Sequence, residues 1–120
     1  MEKTILLTGA SGSVGFEAFK ELLRRKPKFR TRILSLDNPT EINIFKPYRD
    51  QIEIVWGDIR DQSVVDKAVT GADAVLHVAG IIPPVADQKP ELAREVNVLG
   101  TRNLANAIRK QRKPPKISKR

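Results

Sequence analysis

An apolar run, Ile5-Leu6-Leu7-Thr8, passes directly into Gly9-Ala10-Ser11-Gly12-Ser13-Val14-Gly15, where glycine recurs at every third position. Few folds accommodate that spacing. Gly9 lets the chain turn sharply off a strand, Gly12 lets the backbone approach a pyrophosphate, and Gly15 lets the following helix lie close against the sheet. The free amides at the start of such a helix carry roughly half a positive charge, so a diphosphate docks there without a lysine. The turn has no lysine, which sets it apart from the ATPase phosphate loop ending in Gly-Lys-Ser or Gly-Lys-Thr. Glycine-rich turns also occur with no ligand, so the nucleotide reading depends on the remainder of the chain.

The rest of the composition narrows the classes. A length of 120 residues fits one domain with its own core. The absence of cysteine excludes disulfide and thiolate chemistry, and a single histidine, His77, argues against a histidine metal cluster, so no metal is expected. No apolar run reaches the roughly 18 residues of a membrane span, and Met1-Glu2-Lys3 leads straight into a strand, so a soluble, cytoplasmic chain with no membrane partner is expected. Of the net charge of +8, all but one unit is carried by the seven basic residues between 109 and 120. No aromatic residue is interleaved with them to stack bases, so nucleic acid is not the expected partner.

Along the chain, strand-like and helix-like patterns alternate. Ile5–Thr8 has no polar alternation, as a central parallel strand requires. A helix follows Gly12, with Val14, Ala18, Leu22 and Phe19, Leu23 on neighbouring positions, and Pro27 stops it. Arg32–Leu36 reads as a second strand ending at Asp37-Asn38-Pro39. Asp37 lies 22 residues beyond Gly15, close to the roughly 20 expected of an acid that grips an adenosine ribose; the alternative is a loop aspartate opening a turn. A carboxylate there repels a 2′-phosphate and favours NAD over NADP. Residues 41 to 46 form at most a helical turn, and Tyr48, with isoleucine rather than lysine four positions on, is a loop or packing residue.

Ile52–Trp56 is a strand nearer the sheet edge, followed by Gly57-Asp58-Ile59-Arg60-Asp61. In this architecture Asp58 accepts from the adenine amine and Ile59 covers one face of the ring, while Asp61 caps a helix over residues 62 to 70. Ala74–Val78 is a continuous apolar strand leading to Ala79-Gly80, and its His77 is a core histidine or, alternatively, a base. A long helix opens near Pro90; Leu92, Val96, Leu99, Asn103 and Ala107 trace its inner stripe, and Gly100 implies a close contact. The pattern predicts an α/β, Rossmann-type, doubly wound parallel sheet of about four strands in the order 3-2-1-4. Residues 1 to 113 form this partial domain and 114 to 120 a basic tail.

Thr8-Gly9-Ala10-Ser11-Gly12-Ser13-Val14-Gly15, Leu36-Asp37-Asn38, Gly57-Asp58-Ile59-Arg60, His77-Val78-Ala79-Gly80 and Asn97-Val98-Leu99-Gly100-Thr101 together resemble the extended short-chain dehydrogenases/reductases, in the NAD-dependent epimerase/dehydratase group typified by UDP-galactose 4-epimerases. The resemblance implies that Ser13 and Val14 cradle the pyrophosphate by their amides, Asp37 and Asn38 bind the adenosine ribose, and Asp58 and Ile59 hold adenine. It further implies that Val78, Ala79 and Gly80 line the path to the nicotinamide ribose. Asn97 supports the cofactor side of the active site on the same argument, or else caps a groove between helices.

In that family a fifth strand ending in serine or threonine leads to Tyr-x-x-x-Lys, whose tyrosine exchanges a proton with substrate. The 120 residues contain no such pair, and no catalytic residue is assigned. The expected function is therefore the dinucleotide-binding portion of a sugar-nucleotide oxidoreductase, truncated and not catalytic alone; the alternative is a non-catalytic sensor of NAD(P)(H). A sheet that stops at its fourth strand leaves Ala74–Val78 as a bare edge, which predicts self-association through it.

Overall fold

Leu6 and Leu7 are consecutive in β1 (Lys3–Thr8), and both are fully buried, which requires cover on both faces of the strand. The computed structural model describes residues 3–26, 28–78, 90–111 and 115–119. Around β1 run β2 (Phe29–Ser35), β3 (Glu53–Trp56), β4 (Ala74–His77) and β5 (Lys116–Lys119), all parallel, in the order β3-β2-β1-β4-β5. Successive residues point to opposite faces. Leu6, Leu34 and Val75 join one core cluster, which continues into α3 (Gln62–Val69) and α4 (Pro90–Lys110). Leu7 and Ile33 join the other, with Phe19 of α1 (Ser13–Arg24) and Phe45 of α2 (Pro39–Phe45). A single 3-10 turn, Lys46–Tyr48, places Tyr48 edge-on to Phe19 at 5.1 Å, so Tyr48 is a packing residue.

The expected doubly wound sheet is present, and its first four strands have the expected order. The extent differs. Residues 116–119, read from sequence as part of a basic tail, pair with β4 in register from Ala74 with Lys116 to His77 with Lys119. The Lys116 amide donates to the Asp73 carbonyl, and Pro115 is buried where the chain returns to the sheet. The sheet thus has five strands rather than four, and β4 is not the bare edge on which self-association was argued. The signal was weak because Lys-Ile-Ser-Lys has one large apolar residue, and Ile117 is itself exposed.

Pro27 lies outside the described residues; α1 ends at Arg24, with the Arg25 and Lys26 amides donating back to Leu22 and Leu23. On the opposite layer, α3 and α4 are held by polar side chains. Gln62 donates to the Asn103 carbonyl at 2.9 Å, and Lys110 meets Asp66 at 2.9 Å. Arg32, largely buried on β2, ends α3: its guanidinium donates to the Ala68 carbonyl at 2.7 Å and the Thr70 carbonyl at 2.6 Å, and meets Glu53 at 3.3 Å. A cation there suits the negative end of the helix dipole.

Arg32→Met keeps the apolar stem but leaves these carbonyls without their donor. It is expected to lower stability by about 1.5–3 kcal/mol, read from the urea unfolding midpoint at unchanged slope.

Candidate functional site

Construction of the site begins at Gly9, whose φ of +77° is a left-handed conformation that side chains rarely adopt. The turn it makes brings α1 back against it: a Cβ placed on Gly15 would lie 1.7 Å from the Gly9 carbonyl oxygen. Gly12 differs. It is the N-cap of α1 in extended conformation, and a Cβ there would sit 3.5 Å from the same oxygen, an ordinary contact. Among the described residues no packing contact demands glycine at position 12, where it serves as the N-cap of α1.

Phe16 is the first residue of α1 to donate into the helix, to Gly12 at 2.7 Å, so the amides of Ser13, Val14 and Gly15 have no intrahelical acceptor. The N-cap carries no side-chain bond and the first turn no acidic residue. Val14 is 61% exposed, and Ser13 is exposed beside it. The positive end of the helix is therefore open to an anion.

A cleft of about 270 Å³ opens at the carboxyl ends of β1, β2 and β3 and reaches this turn at Ser11. Its walls are Thr8–Ser11, Leu34–Leu36, Glu41 and Gly57–Arg60, with Leu92 and Val96 of α4 closing one side. Ligands of open α/β sheets bind outside the carboxyl ends of the strands, as here.

Several expected site residues meet in this cleft and others do not. Gly9, Asp58 and Ile59 line it, and Gly12 follows one residue after Ser11. Asp58 is engaged by Arg60, whose Nη2 donates to Oδ2 at 2.7 Å and whose backbone amide donates to Oδ1 at 2.9 Å. Those bonds, against a smaller opposing effect of burial, hold the Asp58 carboxyl below its ordinary range and raise Arg60 in turn. Arg60 also reaches Glu95 on α4 at 3.4 Å, tying the β3–α3 turn to that helix. Ile59 is buried under α4, where its Cγ2 lies 3.0 Å from a Cβ added at Gly100; this is the close contact expected of that glycine.

Asp37, expected at the ribose, does not line this cleft. It is exposed and lines a neighbouring hollow together with Lys46, Arg49 and Trp56. Asn38, expected beside it, is committed to the chain: its Oδ1 accepts from the Glu41 amide at 2.8 Å and caps α2. Val78 lies beyond β4, its amide 3.2 Å from both the carbonyl and the hydroxyl of Thr8. Ala79 and Gly80 fall outside the described residues. Asn97 is exposed on α4, and the asparagine that bonds into the groove is Asn103, which donates to the Ile59 carbonyl at 3.0 Å. His77 is 4% exposed, with Nδ1 2.7 Å from the Thr8 hydroxyl and Nε2 3.3 Å from that of Thr101, a bonded core histidine.

The sequence pattern did not single out Glu41, Ser11 and Ser35. Glu41 Oε1 accepts from the Ser11 hydroxyl at 2.8 Å and the Ser35 hydroxyl at 3.2 Å, joining the glycine turn, β2 and α2 at the cleft wall. A signal was available: Asn38-Pro39-Thr40-Glu41 has the spacing of a helix start with an acid at its third position. Among the described residues no group of three or more His, Cys, Asp or Glu side chains is arranged to hold a metal ion.

The profile of the 3-beta hydroxysteroid dehydrogenase/isomerase family matches residues 6–113. The chain belongs to that family. This bears out the expected kinship with the epimerases and dehydratases of the short-chain dehydrogenase/reductase group. Relatives include an uncharacterized membrane protein of Methanocaldococcus jannaschii, 34% identical over 86% of this chain and 31% of its own length. The 3 beta-hydroxysteroid dehydrogenase type 7 of Mus musculus is 30% identical over 85% of this chain and 28% of its own, and the UDP-glucose 4-epimerase of Rickettsia bellii 30% identical over 89% and 33%. The chain thus spans about a third of the length of the curated relatives it matches. Among solved structures, a variant of uronate dehydrogenase from Agrobacterium tumefaciens complexed with NAD superposes with a TM-score of 0.69 at 27% identity, covering 99% of this chain and 40% of the other. No helix among the described residues is long and apolar enough to cross a membrane.

Gly15→Ala is expected to cost about 1–3 kcal/mol or more, because helix and turn must separate, while Gly12→Ala costs about 1 kcal/mol through a poorer N-cap; paired thermal melts check the order. The folded carboxyl of Asp58 titrates below the ordinary aspartate value of 3.8, so its stabilisation is complete above that value and is lost as pH falls below it. Asp58→Asn should therefore be less stable than the wild type at about pH 7, with the gap in urea midpoints shrinking at about pH 3.

Proposed function

We propose that these 120 residues form the dinucleotide seat of an oxidoreductase of this family, with NAD as the favoured cofactor over NADP. The observation that carries this reading is the continuity between the open amides of α1 and the cleft over β1, β2 and β3. A diphosphate at the Ser13 and Val14 amides leaves its adenosine arm to cross Ser11 into that cleft. There Leu34 and Leu36 supply apolar wall, and Asp58, held by Arg60, supplies an acceptor for an exocyclic amine. The fit of the group rests on the start of α1, where Gly12 leaves the backbone bare and Ser13 and Val14 are exposed.

When bound, the nicotinamide supplies the hydride acceptor or donor. The described residues would hold the dinucleotide by its other parts: the helix amides would place the diphosphate, and the cleft walls would exclude water from the adenine side. The proton transfer that accompanies hydride exchange needs an acid–base pair, and the 120 residues contain no Tyr-x-x-x-Lys. These residues thus supply the cofactor seat. Binding of NAD in the structurally similar uronate dehydrogenase variant supports the assignment.

Isothermal titration of the chain with NAD, NADH and NADP tests it. Saturable binding of NAD, stronger than that of NADP and abolished by Gly12→Ala in a variant that still melts cooperatively, is the expected result. Undiminished binding by that variant, or none by the wild type, overturns the seat.

A further inference from the structure

The sheet has two outer strands, and they differ in what they offer a neighbour. β5 carries a lysine at each end, and two such strands laid antiparallel would set lysine against lysine. β3 reads Glu-Ile-Val-Trp, and its one charge is taken up within the chain: Glu53 meets Arg32 at 3.3 Å and Arg30 at 3.5 Å. Among the described residues no strand pairs with the far side of β3. The register fixes which backbone groups that side presents. The Gly57 amide donates to the Ser35 carbonyl at 2.8 Å, and alternate residues of a strand turn their amides and carbonyls to opposite sides, so Glu53 and Val55 also face β2 while Ile54 and Trp56 face outward.

The side chains of Ile54 and Trp56 share the α2 face of the sheet, where with Ile42 they form the apolar wall of a hollow of about 370 Å³. Trp56 is 36% exposed and Ile42 41%. Asp37 precedes α2 and Lys46 and Arg49 follow it, so the hollow has a carboxylate at one end and two cations at the other. Among the described residues none of these three charges forms an ion pair. An edge with opposite charges at its two ends is complementary to its own copy under a two-fold rotation. We propose that β3 is the contact between two copies of this chain, the strands pairing antiparallel about Val55. That register sets the outward amide and carbonyl of Ile54 against those of Trp56 in the other copy, and the reverse. Each indole then stands over the other copy's hollow, and the end holding Asp37 meets the end holding Lys46 and Arg49. Four residues of strand and one indole a side make a small interface, so the dimer is weak and depends on concentration.

Sedimentation equilibrium of the full chain at low salt, from low micromolar to near-millimolar concentration, tests this beside Trp56→Lys, Asp37→Lys and the double variant Lys46→Glu, Arg49→Glu, each first shown to melt cooperatively. The wild type is expected to rise from the monomer mass toward the dimer mass, and Trp56→Lys to remain a monomer. Asp37→Lys alone, or the double variant alone, sets like charges against each other at both ends of the contact and weakens the dimer by about tenfold or more. An equimolar mixture of those two chains restores it, because each end then joins opposite charges. A wild type that stays monomeric throughout, a dimer untouched by Trp56→Lys, or folded charge variants that fail to complement each other in the mixture overturns the inference.

Discussion

The contact between the Gly9 carbonyl and the bare face of Gly15 is the constraint on which the rest of the molecule depends. With less than a van der Waals contact's room for a side chain, α1 has one way to leave β1. That path lays Phe19 against the sheet, where it meets Phe45 at 5.3 Å and Tyr48 at 5.1 Å, and so places α2 beside α1. It also aims the unpaired amides of α1 past the carboxyl ends of the strands. The packing of α1 and the exposure of its first amides are two results of one close approach.

Charge in the cleft is arranged by fixed partners rather than left to flexible side chains. Asp58 is locked by Arg60, and Arg60 by Glu95; Glu41 is locked by Ser11 and Ser35. Each of these bonds joins segments far apart in the chain or secures a sharp turn, so the walls are set before any ligand arrives. Such preorganisation reduces the ordering cost of binding. The apolar floor beneath, with Ile59 wedged under Gly100, keeps α4 near enough to close one side.

Much of this was legible residue by residue. The unalternating run Ile5–Thr8 announces a strand covered on both sides, and the triple glycine announces the turn and helix after it. Asp61 caps α3 as its place before Gln62 suggests, accepting from the Ser63 amide at 3.0 Å. The features that escaped were set by partners distant in sequence. Lys-Ile-Ser-Lys has only a weak strand signal of its own, and the edge of β4 offers it a backbone ladder. Asn38, expected from the sequence only as a ribose ligand, also caps α2, a role set by the α2 amides that lie next to it. Asn103 already stands on the inner stripe of α4 in the sequence, but that its side chain bonds the Ile59 carbonyl is set by the packing of α4 on the β3–α3 turn.

From the sequence alone came the alternation of strands and helices, the parallel sheet, and a helix start left bare by glycine, because glycine spacing and apolar runs act over a few neighbouring residues. The tertiary structure decided that Glu41 lines the cleft along with Asp58, that β4 has a partner, and that the last residues belong to the sheet. Those outcomes depend on how elements far apart in the chain meet: Glu41 enters the cleft wall because Ser11 and Ser35 come within reach of it only when β1, β2 and α2 are packed together.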